Sequence, residues 1–221
     1  MQREIDMREV SDGKFYGLRD MVKAGCDDCK GCSDCCRGMG SSIVLDPYDV
    51  YRLTTGLGKS FDELLLDKLE LNVVDGLILP NMMMDEKTNC CVFLNEEGRC
   101  SIHAFRPGIC RLFPLGRIYD EKGISYFLQA EGCVKEKRSK VKVSKWLDTP
   151  ELRRNQQYLV DWHDFRKQMQ EVIEETADEK TVKTITMFLL NTFFMQPYDV
   201  SREFYGQFYE RLGRIQAVLQ Q

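Results

Sequence analysis

Histidine is nearly missing from this chain: 221 residues hold two, His103 and His163. A lone histidine with no matched acidic pair makes little case for general acid or base catalysis. His163 falls on the polar side of a predicted helix and is expected to be exposed. His103, three residues after Cys100, is expected to pack or hydrogen-bond beside whatever the cysteines build. Long apolar runs are absent too. The best of them, MFLLNTFFM at 187–195, is too short to span a bilayer and carries Asn191, so no membrane segment is expected. Excess positive charge is also lacking. The formal net charge is -4, which leaves the chain as a whole without the electrostatic footprint of a nucleic-acid binder. There is no internal repeat, no low-complexity tract and no glycine-rich phosphate loop, since Gly38 and Gly40 follow a cysteine cluster rather than a predicted strand. The opening MQREIDMREVSDGKF is charged throughout and has neither the apolar core nor the small-residue cleavage site of a signal peptide. A cytoplasmic, reducing setting is therefore expected, in which a disulfide framework would not persist.

Cysteine is what the chain has in excess. Ten are present: five in the string Cys26-Asp-Asp-Cys29-Lys-Gly-Cys32-Ser-Asp-Cys35-Cys36, then Cys90, Cys91, Cys100, Cys110 and Cys133. With bridges disfavoured, thiols at this density point to a metal centre. A thiolate is soft, anionic and polarizable, and a Cys-x-x-Cys gap lets both sulfurs reach one ion. Cys26-x2-Cys29-x2-Cys32-x3-Cys36 has the spacing of a bacterial ferredoxin run, although Arg37 stands where proline is expected and no second copy follows. Only this N-terminal arm has the paired form that closed four-cysteine zinc sites use. An iron–sulfur cluster is therefore the preferred cofactor and zinc the alternative. Four or more thiolates leave net negative charge that donors must offset. Arg106 and Arg111, which bracket the RPGICR turn, are the expected donors to sulfur or to a neighbouring carboxylate. Apolar residues make up 43% of the chain, enough for a core that does not depend wholly on a metal.

The predicted fold class is α+β: an irregular cysteine-rich metal module with short helices and two β-hairpins, followed by a C-terminal three-helix region. Asp46-Pro47, with Asp49 in the first turn and Gly56 as terminator, predicts one short helix. The capping box of Ser60 and Glu63 predicts a second, running through LDKLEL. CCVFLNEEGRCSI reads as a hairpin that brings Cys91 near Cys100, and GRIYDEKGISYFL as another that turns at Asp120 to Gly123 and delivers Cys133. RPGICRLFP has room for little more than one helical turn around Cys110. The basic run KEKRSKVKVSK at 135–145 reads as a solvated linker. Beyond it, helical spacing places Leu152, Leu159, Trp162, Phe165, Met169 and Ile173 on one stripe, and Val182, Ile185, Leu189 and Phe193 on a second. Phe204, Phe208, Leu212, Ile215 and Leu219 form a third. The expected organisation is an N-terminal segment 1–25, a cysteine module 26–134, a basic linker 135–148 and a helical region 149–221.

Taken in order, several motifs carry a family resemblance: Cys29-x-x-Cys32-x-x-Cys35-Cys36, Cys91-Val-Phe-Leu, Cys100-Ser-Ile and Arg106-Pro107-x-x-Cys110-Arg111-x-Phe113-Pro114. Together they resemble the CxxCxxCC cysteine-cluster family, also called YkgJ-like, a zinc- or iron-chelating domain. The resemblance covers residues 26–133 and implies a metal-chelating module, often described as an iron–sulfur protein; a similar domain occurs in a flagellin lysine methylase. Cys26 and Cys90 fall outside the family pattern, and His103 stands where tyrosine is common. Setting those two cysteines aside leaves Cys29, Cys32, Cys35, Cys36, Cys91, Cys100, Cys110 and Cys133 as the expected ligands, enough for two four-thiolate sites or one polynuclear cluster. Because adjacent side chains usually diverge, Cys35 and Cys36 are expected to serve two neighbouring metals or two sides of a binuclear site. Three functions stay open. The first is an iron–sulfur protein in electron transfer or cluster-assisted enzymology, with an unidentified redox or protein partner. The second is a zinc-stabilised binding module that presents the C-terminal helices, and the third an enzyme of the protein methyltransferase type.

Overall fold

The computed structural model describes residues 10–26, 32–121, 123–130, 132–135 and 137–219. Its strands, in chain order, are β1 (Met21–Gly25), β2 (Leu69–Val74), β3 (Leu77–Met82), β4 (Leu115–Asp120), β5 (Gly123–Leu128) and β6 (Ser139–Lys142). The helices among these residues are α1 (Pro47–Leu57), α2 (Phe61–Leu65), α3 (Gly108–Leu112), α4 (Val143–Leu147), α5 (Leu152–Glu175), α6 (Glu179–Leu190) and α7 (Phe204–Leu219). The class is α+β, as the sequence predicts. The strands form three separate antiparallel pairs, β1 with β6, β2 with β3 and β4 with β5.

Local chemistry explains most of these boundaries. Asp46 accepts from the Asp49 N–H at 2.8 Å while Asp49 accepts from the Asp46 N–H at 3.3 Å, a reciprocal capping box with Pro47 in the first turn. The helix does not end at Gly56. A Cβ there would meet the Phe105 ring at 2.7 Å, so Gly56 is a packing residue inside α1, and Gly58, at φ 63°, takes the left-handed cap. Ser60 and Glu63 cap α2 as expected, but the helix stops at Leu65 and the second half of LDKLEL, Leu69 to Leu71, enters β2. Asp75 and Gly76, at φ 53° and 79°, reverse the chain so that Val74 pairs with Leu77. Two successive left-handed residues are what a two-residue hairpin requires, and that turn overrides the helical start.

The hairpin expected around 90–102 forms only in part. It has a single bridge, Leu94 opposite Cys100, because Cys91 pairs instead with Met84 and Cys36. The other expected hairpin is β4–β5, paired from Leu115–Leu128 to Asp120–Gly123. The basic run holds regular structure rather than a solvated linker: Val141 pairs with Val22 across β6 and β1, and Val143 and Leu147 bury in α4. Alternation accounts for this, since Lys140 and Lys142 face water while Val141 and Val143 face inward.

A main core joins the two halves of the chain. Ile43, Leu45, Leu53, Leu79 and Met82 pack with Tyr158, Trp162, Phe193 and Phe208, each such side chain contributing about 1.5–3 kcal/mol when fully buried. A smaller cluster of Val22, Leu112, Leu115, Tyr126, Val143 and Leu147 seats α3 against β1, β4–β5 and α4. Most positions of the helical stripes bury as predicted, Leu152, Ile173, Val182 and Ile185 are half-buried, and Leu219 stays 39% exposed. His163 is not a free surface residue: its ring stacks on Tyr119 at 3.9 Å, and burial, followed by the nearby Lys167 charge, lowers its pKa. Among the described residues no helix is long and apolar enough to cross a membrane.

Candidate metal centre

Three stretches of chain deliver the thiols. Cys35 and Cys36 lie on a 3-10 turn, Asp34–Cys36. Three residues per turn separate successive side chains by about 120° rather than the 180° of a strand, and the Cys36 side chain is the largest cause that raises the pKa of Cys35. The exit from this turn is zipped to residues 89–91. Cys91 donates its N–H to the Cys36 carbonyl at 2.7 Å, Gly38 donates to the Asn89 carbonyl at 2.8 Å, and Arg37 forms a bridge with Cys90. The turn at 95–98, with Gly98 at φ 70° and Asn95 Oδ1 accepting from the Arg99 N–H at 2.8 Å, returns the chain to present Cys100. Cys110 arrives on α3, whose leading N–H, that of Gly108, donates to Asp49 Oδ1 at 2.7 Å. The capping carboxylate of α1 therefore also anchors the helix that carries Cys110.

Cys35, Cys91, Cys100 and Cys110 share one neighbourhood. Burial is the main cause that raises the pKa of Cys91, Cys100 and Cys110, and charge from other members of the group raises it further. Cys35 is pushed up first by its hydrogen bond to Cys36 and then by burial, while Arg106 pulls it down. Arg106 also lowers Cys100, so its guanidinium faces the group. Its Nη1 donates to His103 Nε2 at 2.7 Å. Arginine has only donors, so His103 accepts there and carries its proton on Nδ1. The position of His103 beside the thiols is the one expected for it. Arg111 lies on a different side: it is buried, lines a small cavity with Asp46, Asp49 and Arg117, and leaves Nε and Nη1 without a hydrogen-bond partner. In that cavity burial, then the charge of Asp46, raises Asp49 well above the usual carboxylate range, and the Asp49 charge is in turn felt by Cys110.

Cys26, Cys32 and Cys133 stand in a second place. With Asp34 and Cys35 they line one cleft walled by Phe113 and Pro114. The Cys32 thiol donates to Asp34 Oδ2 at 3.4 Å. The Asp34 N–H lowers the Cys32 pKa, but burial, the Asp34 carboxylate and Cys133 outweigh it and the net direction is up. Cys90 makes contacts of its own, Arg37 Nη1 donating to its Sγ at 3.0 Å and its thiol donating to the Thr88 carbonyl at 3.3 Å, and its charge also helps to raise the pKa of the adjacent Cys91. Cys29 lies outside the described residues, and none of the described cysteines forms a disulfide. Three residues of this arrangement, Cys26, Asp34 and Asp49, are not singled out for the site by the sequence. Asp49 shows there only as a helix cap, because its contact with Gly108 spans 59 residues.

Among the described residues no three cysteine, histidine, aspartate or glutamate side chains already converge on a single metal position. The donor chemistry of the first group still suits a thiophilic metal. Four sulfurs in a partly buried setting repel one another as thiolates, a guanidinium faces them, and both Asp49 oxygens are occupied by the N–H groups of Gly108 and Asp46. A cation bound to the deprotonated thiols removes the repulsion that raises their pKa.

Fold and donor set together define a cysteine-cluster metal-binding protein. The family model CxxCxxCC, described as "Putative zinc- or iron-chelating domain", matches residues 28–145, more than half of the chain. The chain belongs to this family. The match runs past the cysteines to take in β6 and the first turn of α4. No curated protein and no solved structure matches the chain.

Proposed function

We propose that the protein is an iron–sulfur protein with a redox or cluster-assisted role, its cluster held chiefly by Cys35, Cys91, Cys100 and Cys110. The observation that carries the reading is the shared neighbourhood of these four thiols, in which the charges of Cys35, Cys91 and Cys100 all act on Cys110. An all-sulfur donor set is the complement of such clusters, which supply one-electron transfer when bound. The chain's own residues supply position and charge: Arg106, oriented by His103, offsets the thiolates; Asp49 fixes α3; the turn at 95–98 presents Cys100. The ferredoxin-like spacing supports iron as well, although its members divide, Cys36 beside Cys35 and Cys26 with Cys32 in the second cleft. A reducing, cytoplasmic setting and a redox partner accompany this reading.

Anaerobic purification followed by iron, acid-labile sulfide and visible-absorption analysis tests it. The expected result is brown protein with both iron and sulfide. Stoichiometric zinc without sulfide, in protein prepared under iron-replete conditions, would overturn the reading and leave a zinc-stabilised binding module.

A further inference from the structure

We infer that the cleft between the start of α5 and the strand pair β1–β6 binds a small molecule that carries a phosphate group. The cleft measures about 520 Å³, within the range of small-molecule sites. Three separate segments wall it. Leu18 and Arg19 come from the approach to β1, Lys142 and Ser144 from the joint of β6 and α4, and Glu151 to Arg154 from the start of α5. The first two walls are pinned together, since the Ser144 N–H donates to the Leu18 carbonyl and the Val143 N–H to the Asp20 carbonyl, both at 3.0 Å. Arg19, between Leu18 and Asp20, is thereby fixed to the wall that carries Lys142.

The chain as a whole is negative, yet this cleft gathers four cations and one carboxylate. Arg154 is already engaged, with Glu203 at 2.6 Å and Glu151 at 3.3 Å. Among the described residues no carboxylate pairs with Arg19, Lys142 or Arg153. Three unpaired like charges around one concavity repel. Arg153 also sits in the first turn of α5, which holds no acidic residue and where the helix dipole disfavours a cation. A bound anion removes both costs. The charge selects the anion: a carboxylate brings one negative charge, whereas a phosphate monoester brings about 1.5–2 at pH 7 with three acceptor oxygens. Those oxygens match the guanidinium forks of Arg19 and Arg153 and the hydroxyl of Ser144. Leu18 and Leu152, both half-buried, offer apolar surface to the rest of the molecule. The site is independent of what the thiols hold.

The test titrates the full-length protein with inorganic pyrophosphate at constant ionic strength, by calorimetry and by thermal melting, for the wild type and for Arg153→Gln, Lys142→Gln, Glu151→Gln and Lys140→Gln. Lys140 lies on β6 but outside the cleft, so its variant reports diffuse charge. Wild type is expected to bind one pyrophosphate per chain and to melt at a higher temperature with it, while acetate at the same ionic strength leaves the melting temperature where it was. Arg153→Gln and Lys142→Gln should each bind at least roughly tenfold more weakly, the loss of one charge-assisted hydrogen bond, and Arg153→Gln without pyrophosphate should melt no lower than wild type. Glu151→Gln, which removes the carboxylate from the cleft, should bind more tightly, a gain that misfolding does not produce. Lys140→Gln should bind as wild type does. No pyrophosphate binding by the wild type, an equal melting shift with acetate, or equal weakening in Lys140→Gln and Arg153→Gln overturns the inference. Preference of the wild type for a single-stranded oligonucleotide over pyrophosphate also overturns it and assigns the basic strand to nucleic acid instead.

Discussion

Arg106 brings positive charge to two members of the four-thiol group, while Arg99 acts on Cys100 alone. The Arg106 charge lowers the pKa of both Cys35 and Cys100 against the burial and the neighbouring thiols that raise them. A metal binds the thiolate, so each ligand must lose its proton first, and a raised thiol pKa means that loading improves as pH rises. Removing the guanidinium takes away the one arginine that acts on both residues. Arg106→Ala is therefore expected to move the pH of half-maximal metal uptake upward and to weaken retention by roughly 10–100-fold, the range seen when a group supporting a metal ligand is lost. Arg106→Lys, which keeps the charge but not the planar donor fork, should recover part of the shift. Following metal uptake by absorption across a pH series in the three proteins checks this, and an unchanged midpoint in Arg106→Ala would show that His103 and the local backbone, not charge, account for its place beside the thiols. Arg111 makes a contrast, since it faces the cavity of Asp46 and Asp49 and its loss should leave that midpoint where it is.

Two short helices are coupled by a single carboxylate. Asp49 closes the α1 capping box and at the same time receives the first N–H of α3. Asp49→Ala removes one oxygen pair from both, and the expected cost is about 1–3 kcal/mol, the penalty for stranding buried hydrogen-bond partners. Because α3 carries Cys110, the same variant should also release metal faster. Chemical denaturation together with chelator-driven release measures both; destabilisation with unaltered release would show that α3 is held by its packing against Leu115 and Val143 alone. This coupling also marks how far the elements were legible in the sequence. The Asp46 cap, the Ser60 capping box, the β4–β5 hairpin, the helical turn at Cys110 and the three C-terminal stripes rest on signals contained within a few neighbouring residues. β2 was hidden because the Ser60 capping box starts a helix in the same stretch, and the deciding turn at Asp75-Gly76 comes after the strand it commands. Of the thiols that stand together, only the approach of Cys91 to Cys100 was legible. Cys35 joins Cys91, Cys100 and Cys110, and Cys32 joins Cys26 and Cys133, through chain paths set by Cys36–Cys91 and β1–β6 pairing, which no spacing within the cysteine string encodes.

At the scale of the whole molecule, the question is which parts need the metal to stay folded. The sequence suggests a cysteine module that opens as a unit up to the basic run while the C-terminal helices hold. The core divides the chain differently. Ile43, Leu45, Leu53, Leu79 and Met82, all from the cysteine-bearing half, pack in one cluster with Tyr158, Trp162, Phe193 and Phe208, and the Tyr158 hydroxyl links α5 to the start of α1 through Asp46 at 3.1 Å and the Tyr48 N–H at 3.0 Å. Those elements have apolar burial that requires no ligand. The segments that carry the thiols have less of it: Phe93 and Ile102 anchor 84–102 in the same cluster, but 32–38 and the rest of 84–102 are held by isolated bridges, turns and single backbone bonds, and opening such regions costs far less than global unfolding. Chelation is therefore expected to raise amide exchange across 32–38, 84–113 and 132–135 while α1, β2, β3, α5, α6 and α7 remain protected together. Exchange that rises through α1 and β2–β3 as well, with only α5, α6 and α7 spared, would place the division at the basic run after all. Exchange that rises everywhere would make the metal the organiser of the entire core, in spite of the twenty or more apolar side chains that the cluster buries without it.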